Sequence, residues 1–545
     1  MDLVIRDALV VDGTGGAPYR ADVGLARGRI AEMRGPGGPR LSGRRTLDAA
    51  GLALAPGFID MHAHSDLALL RDPDHSAKAA QGVTLEVIGQ DGLSYAPVDE
   101  RTLAEVGQAI TGWNGALPTD PAPAWRSVGD YLDRLDHGHD GAGIAVNAAY
   151  LIPQGTLRTL VVGWEDRTAS AAELDRMRRL VADGMREGAV GLSAGLTYAP
   201  GMYADSAELV ELCRVVARYG GYFCPHHRSY GAGALAAYAE ILDLARAADC
   251  PLHLAHATMN FDVNEGRAAD LLALLDTALA DGLDVTLDSY PYTAGSTTLA
   301  ALLPGWASAG GPEAVLDRLR DDTTAERIRH HLEVTGSDGC HGVPVDWDTI
   351  EVSGVRDPAL AGYVGRSVLR SAQARGEAPW TTARRLLLDD RLGPTILQHV
   401  GHEDNVRRIM RHRVHTGGSD GILQGGKPHP RAYGTFPRYL GHYVRELGVL
   451  TLQDCVAHLT ARPAARLRLP DRGLVRPGHH ADLVLFDPDT VGAGATYEAP
   501  RTAPTGLPYV LIDGRLVIED GRRTDVLAGR AVRGAAFAGG TGHTA

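Results

Sequence analysis

Short apolar runs separated by longer stretches of helical periodicity recur through the middle of this chain, and that alternation constrains its fold more than any other feature. The candidate strands are residues 57–64, 83–90, 143–150, 188–198, 222–228, 251–257, 284–292 and 414–420. Apolar runs of this length, each followed by a helical segment, are the pattern of parallel strands joined by crossover helices. Eight of them favour an α/β fold of the closed (β/α)8 TIM-like type over an open sheet. The gap between the last two is too long for a single crossover, so an insertion is expected at about residues 293–393, where it would stand as a lid at the catalytic end. The run 395–400 is a further strand candidate that competes with the eight.

The ends of the chain have a different texture. Leu3-Val4-Ile5, Ala8-Leu9-Val10-Val11 and Arg29-Ile30-Ala31 are short apolar runs punctuated by turn residues, and the same texture returns in 481–486 and 509–517. One small β-sandwich domain, built from residues 1–55 and 468–545, is expected beside a barrel domain of residues 56–467.

The first barrel run, Pro56-Gly57-Phe58-Ile59-Asp60-Met61, ends in His62-Ala63-His64. Residues i and i+2 of a strand face the same way, so two imidazoles project together from one strand end. A catalytic metal site draws its few ligands from separate strand ends, and in a barrel these lie at the C-terminal face. The other strand ends carry Asp91 after Gly89-Gln90, then His226-His227-Arg228, His253 and His256, and Ser419-Asp420-Gly421. Four or more histidines with two aspartates form a ligand set for one or two zinc-like ions, with a carboxylate left for proton transfer.

The remaining polar residues read differently. Arg228 shares the face of His226 and is expected to support that ligand or to contact substrate, whereas the parity of His227 and the spacing of His253 make both structural. His137-Gly138-His139 repeats the His-x-His spacing without an apolar run in front of it and reads as a solvated loop. His330-His331 falls in a helix of the insertion.

Charge and residue usage exclude several classes. A net charge of −13 argues against non-specific nucleic-acid binding, which needs a basic face. The absence of a secretory leader pattern and of a membrane-length apolar run makes a cytoplasmic protein without membrane contact the expectation. Five cysteines with no Cys-x-x-Cys pair form neither a disulfide framework nor a zinc ribbon. Lysine occurs only at Lys78, in a helix after the first strand, and at Lys427, in a loop past Asp420. Neither is placed to serve as the carboxylated mid-barrel lysine that bridges two metals in some hydrolases.

The run 56–64, the single histidines at strands five and six, and Ser419-Asp420-Gly421 resemble the amidohydrolase superfamily. More narrowly, Gly188-Ala189-Val190-Gly191-Leu192-Ser193-Ala194-Gly195-Leu196-Thr197-Tyr198, Tyr290-Pro291-Tyr292-Thr293-Ala294-Gly295-Ser296-Thr297 and the stretch 429–438 are similar to the D-aminoacylase (N-acyl-D-amino-acid deacylase) family. The likeness runs over nearly the whole chain and includes the split β domain. It implies a zinc enzyme, with one or two ions per chain, that hydrolyses the amide of N-acyl-D-amino acids to a carboxylic acid and a D-amino acid.

By that resemblance His226 and His256, with the strand-two residue, hold the tighter zinc, and His62, His64 and Asp420 form the weaker site. Asp420 moves the proton, Arg431 and Tyr290 bind the substrate carboxylate, and the Ser296 hydroxyl is nearby. Two positions depart from the family. Asp91 stands where relatives commonly have cysteine, which makes it the candidate to bridge two ions, and Thr258 stands where a lysine is frequent. The implied partner is a small-molecule N-acyl amino acid or related amide, and a homo-oligomer is left open. Two other readings compete: a hydrolase of another linear or cyclic amide or of dipeptides on the same scaffold, and a non-catalytic oligomeric binding protein, against which the intact ligand set argues.

Overall fold

In a computed structural model describing residues 1–119, 122–138 and 141–537, eight parallel strands follow one another in chain order around a single sheet. They are β1 (Phe58–Asp60), β2 (Val83–Ile88), β3 (Asn147–Pro153), β4 (Gly191–Gly195), β5 (Tyr222–His226), β6 (Leu252–Leu254), β7 (Val285–Ser289) and β8 (His415–Gly417). The first and last come together where the Met61 N–H donates to the Gly417 carbonyl at 3.2 Å and Ala63 bridges to Gly421 in parallel. Every residue of β2 and β3 is buried, as expected of strands covered on both faces. The covering helices carry their own start and stop signals. In Ala171–Glu187, Ser170 and Glu173 form a capping box, Met177, Val181 and Met185 are buried at a spacing of four, and Gly188 ends the helix at φ +118°.

Several strands end earlier than the apolar pattern predicts. β6 stops at Leu254 and β8 at Gly417 because the chain then turns through left-handed residues, His256 at φ +31° and Asp420 at φ +48°. The third strand begins at Asn147, inside rather than at the start of the predicted run.

The run 395–400 does not enter the barrel. Thr395–His399 is the central strand of a three-stranded antiparallel sheet, between Ala294–Thr298 and Ile350–Gly354. Trp347, Trp380, Leu386 and Ile396 form a hydrophobic core of its own there, and the excursion therefore extends to His399, past the expected boundary at 393.

Both chain ends contribute to one nine-stranded hydrogen-bonded sheet, in which Ala53–Pro56 from the N-terminal part pairs with Leu483–Phe486. The C-terminal segment does not stay with that sheet. Residues 529–534 run along the barrel wall, where Ala148 N–H donates to the Arg530 carbonyl at 3.1 Å and Val532 N–H to the Ala148 carbonyl at 2.8 Å. Among the described residues no helix is long and apolar enough to cross a membrane.

Candidate metal centre and substrate cavity

The turn after β2 sets the centre of the site. Gly89, Asp91 and Gly92 all adopt positive φ, and the turn packs so closely on β4 that a Cβ at Gly92 would lie 2.5 Å from the Gly195 nitrogen. Asp91, at φ +54°, is thereby held with its carboxylate between two groups of ligand atoms. One is His62, His64, Asp91 and Asp420; the other is Asp91, His226 and His256; within each, the ligand atoms lie within 4.8 Å of one another. Asp91 Oδ1 is 3.5 Å from His62 Nε2 and 3.4 Å from His256 Nε2, and its Oδ2 is 3.6 Å from His64 Nε2 and 3.7 Å from His226 Nδ1.

All six residues are buried, yet both ring nitrogens of His62 and Asp91 Oδ1 have no hydrogen-bond partner among the described residues. Buried polar atoms left unpaired are costly, and unpaired atoms that converge from separate strands suit a cation. Burial disfavours the Asp91 carboxylate, but the facing His62 and His256 outweigh it and hold the carboxyl well below its usual range.

The outer nitrogens of the ligands are anchored. Thr197 Oγ1 meets His226 Nε2 at 2.7 Å, and the Tyr230 hydroxyl meets His256 Nδ1 at 3.0 Å, so each ring turns its other nitrogen toward Asp91. Asp288, on β7, accepts the His256 N–H at 2.9 Å and pairs with His253 Nε2 at 3.0 Å. His253 is thus a brace for the loop bearing His256. His227 turns away, its ring packed at a tilt against Tyr230 and Tyr238 at 4.0 and 3.9 Å.

Asp420 faces two ways. Its Oδ1 lies 3.1 Å from His64 Nε2, and its Oδ2 pairs with Arg431 at 2.9 Å. Arg431 is fully buried, lies over the Tyr290 ring at 4.4 Å, donates to the Ser296 carbonyl at 3.3 Å, and keeps Nε and one terminal nitrogen without a partner among the described residues. Tyr290, Ser296, Asp420 and Arg431 line one cavity together with His64, Asp91, His226, His256 and Thr258. Arg228 is not on its wall: the guanidinium pairs with Glu240 at 3.1 Å and donates to the carbonyls of Met202 and Ala204. The structure gives it a bracing place off that wall.

Of the second His-x-His, His137 ends the helix Val128–His137 at the exposed surface, and His139 lies outside the described residues. His330 ends the helix Asp322–His330 of the insertion. The cavity also contains Trp113, Tyr198, Tyr230 and Gln398, which no sequence pattern marked as site residues.

Beneath the centre, Lys78 is fully buried and donates to Asp60 Oδ2 at 2.6 Å and to Ser419 Oγ at 2.7 Å, with Glu86 Oε1 at 3.0 Å. Asp60 in turn accepts the N–H groups of His62 and Ser419, which ties the two ligand-bearing loops together. Burial opposes charge on Glu86, but Lys78 and His75 outweigh it and hold the carboxyl at about 2. The resulting stabilisation is fully present above the ordinary value of 4.5 and fades as pH falls toward about 2. Lys78→Met is expected to cost about 3–5 kcal/mol, the scale for stranding the partners of a buried ion pair. An unfolding free energy from urea titration that falls by less than about 1 kcal/mol would show that Asp60 and Glu86 find other compensation.

Comparison with known proteins agrees with this architecture. Residues 45–518 match the model of the amidohydrolase family. The N-acyl-D-glutamate deacylase of Alcaligenes xylosoxydans xylosoxydans is 35% identical over 514 residues, 94% of this chain and 93% of that protein. The crystal structure of N-acyl-D-glutamate deacylase from Bordetella bronchiseptica, complexed with zinc and a phosphonate mimic of the tetrahedral intermediate, superposes with a TM-score of 0.83 at 32% identity, covering 98% and 99% of the two chains. A D-aminoacylase structure described by its binuclear metal centre gives 0.80 at 32% identity, with the same coverage. The chain belongs to the amidohydrolase family, in the branch of the D-aminoacylases.

Proposed function

We propose that this protein is a zinc-dependent hydrolase of N-acyl-D-amino acids, releasing a carboxylic acid and a free D-amino acid. The observation that carries the reading is one cavity lined both by Asp91, between two ligand groups, and by the half-unpaired Arg431 beside Asp420. His226, His256 and Asp91 would hold one ion, and His62, His64, Asp91 and Asp420 a second. Bound zinc supplies Lewis-acid polarisation of the amide carbonyl and of water.

The protein's own groups do the rest. The free Nε and terminal nitrogen of Arg431, over the face of Tyr290, offer two donors to an α-carboxylate, and a planar guanidinium suits that shape. Asp420 Oδ1 takes a proton from the attacking water as the oxygen adds to the carbonyl carbon. It returns that proton to the amide nitrogen as the C–N bond breaks, because an unprotonated amine is a poor leaving group. The Arg431 pair on Oδ2 holds the carboxylate in place for both transfers.

The choice of D substrates rests on what the similar proteins are named for, and the fit of a carboxylate to Arg431 supports an N-acyl amino acid of either hand. We further infer a cytoplasmic enzyme that acts on small molecules and does not bind nucleic acid. Five free, buried cysteines and a net charge of −13 support that reading.

Hydrolysis of N-acetyl-D-amino acids with zinc present, and not of the L forms, is the expected result of a steady-state screen. His226→Ala and His256→Ala are each expected to remove tightly held zinc, as read by elemental analysis after dialysis. Full zinc content in both variants would show that the ligands have been misassigned.

A further inference from the structure

A second cavity adjoins the first. The two meet at Trp113 and Tyr198, which line both. The Trp113 ring stands 5.3 Å from His64 and 4.9 Å from Tyr198, and Tyr198 stands 4.8 Å from His226, so these aromatic rings rest directly on ligands of both groups. The Tyr198 hydroxyl is held by Thr297 Oγ1 at 3.1 Å.

Past the rings the wall is apolar, with Leu93, Ile110, Ala301, Leu303 and Val315 along it. The charge at its edge is already matched, since Arg391 pairs with Glu313, which also accepts from Gln108 at 3.2 Å. None of Arg431, Tyr290, Ser296 or Asp420 reaches this second cavity.

These positions orient a substrate. With the α-carboxylate on Arg431 and the scissile carbonyl at Asp91, the Cα and its side chain stay in the first cavity, beside Thr258 and Phe261. The acyl chain leaves the carbonyl carbon beside the ligands His64 and His226, against which Trp113 and Tyr198 stand. Resting on the deacylase reading above, we propose that the second cavity binds the acyl chain, and that the preferred substrates are D-amino acids carrying a medium-chain fatty acyl group rather than acetyl. The rings of Trp113 and Tyr198 guide the chain past the metal ligands, and the apolar wall beyond them desolvates it.

The test is kcat/KM on one D-amino acid carrying acetyl, butanoyl, hexanoyl or octanoyl groups, in the zinc-loaded full chain. A rise of about threefold per added methylene is expected over the first additions, the scale for transferring a CH₂ out of water. Ala301→Phe and Ser308→Trp, both on the wall of the second cavity, are each expected to lower the octanoyl-to-acetyl ratio of kcat/KM by at least about tenfold. Two variants guard against one that fails to fold.

A flat response to chain length, with N-acetyl substrates hydrolysed, would overturn the acyl assignment while leaving the deacylase reading in place. So would variants that change the preference among D side chains on N-acetyl substrates and leave the octanoyl-to-acetyl ratio alone, because the cavity would then hold the side chain. No hydrolysis of any N-acyl-D-amino acid would overturn the deacylase reading itself and the acyl pocket with it.

Discussion

Asp420→Asn is expected to lower kcat by about 10²-fold or more, the scale for a positioned group that takes and returns a proton. Asparagine keeps the shape and one oxygen, so the group formed by Asp91, His226 and His256, which does not include Asp420, should keep its zinc. What it loses is an acceptor that can carry a proton. It also replaces one end of the ion pair with Arg431 by a neutral amide, and that change alone should be felt more in KM than in kcat. Kinetics and elemental analysis on the same preparation separate the outcomes. Activity within threefold of the wild type would remove Asp420 from the proton path. Loss of both zinc and activity would make it mainly a ligand.

The barrel and its ligand-bearing strand ends were legible because each rests on a local pattern. His62 and His64 follow an apolar run at a spacing of two, although both lie past the strand end at Asp60, and His226 is the last residue of its strand. Parity, however, applies only within a strand. β5 ends at His226, so Arg228, two residues on, was free to swing out to Glu240 although it shared the predicted face. Asp91, His256 and Asp420 all lie beyond their strands at positive φ, where alternation gives no direction for a side chain. Left-handed backbone in residues other than glycine is uncommon, and three such residues at one centre are the local strain that functional sites tend to hold.

Contacts made across long sequence separations left no pattern to read. Asp288 sits in a buried strand, and nothing in the alternation around it shows that it braces His253 and the His256 backbone. Trp113 comes from the short helix Thr111–Asn114 well before most of the residues it lines the cavity with. The segment 529–534 binds the barrel through main-chain hydrogen bonds, which carry no residue signature. Lys78 is the instructive case: its scarcity drew attention to it, and the helix was correctly placed, but its buried bonds to Asp60 and Ser419 depend on three elements meeting.

Arg431→Ala is expected to reduce the preference for a free α-carboxylate over its amide by about 2–5 kcal/mol, the range for truncating one side of a desolvated charge pair. The comparison has to be made between acid and amide of the same N-acyl-D-amino acid. Arg431 also holds Asp420, so the variant should slow both substrates; only the contact with the carboxylate makes the loss on the acid larger than on the amide. Thr258 lines the same cavity as Arg431. Its hydroxyl is on Asn260 at 2.7 Å, at the position where the family resemblance implies a lysine, so that cation is absent here. Thr258→Lys should therefore widen the gap between acid and amide in the wild-type background and restore part of it in Arg431→Ala. If acid and amide are instead hydrolysed at equal rates, and Arg431→Ala leaves them equal, the two unpaired nitrogens of Arg431 do not meet a carboxylate. Its role is then confined to holding Asp420, and the substrate is an amide chosen by other contacts.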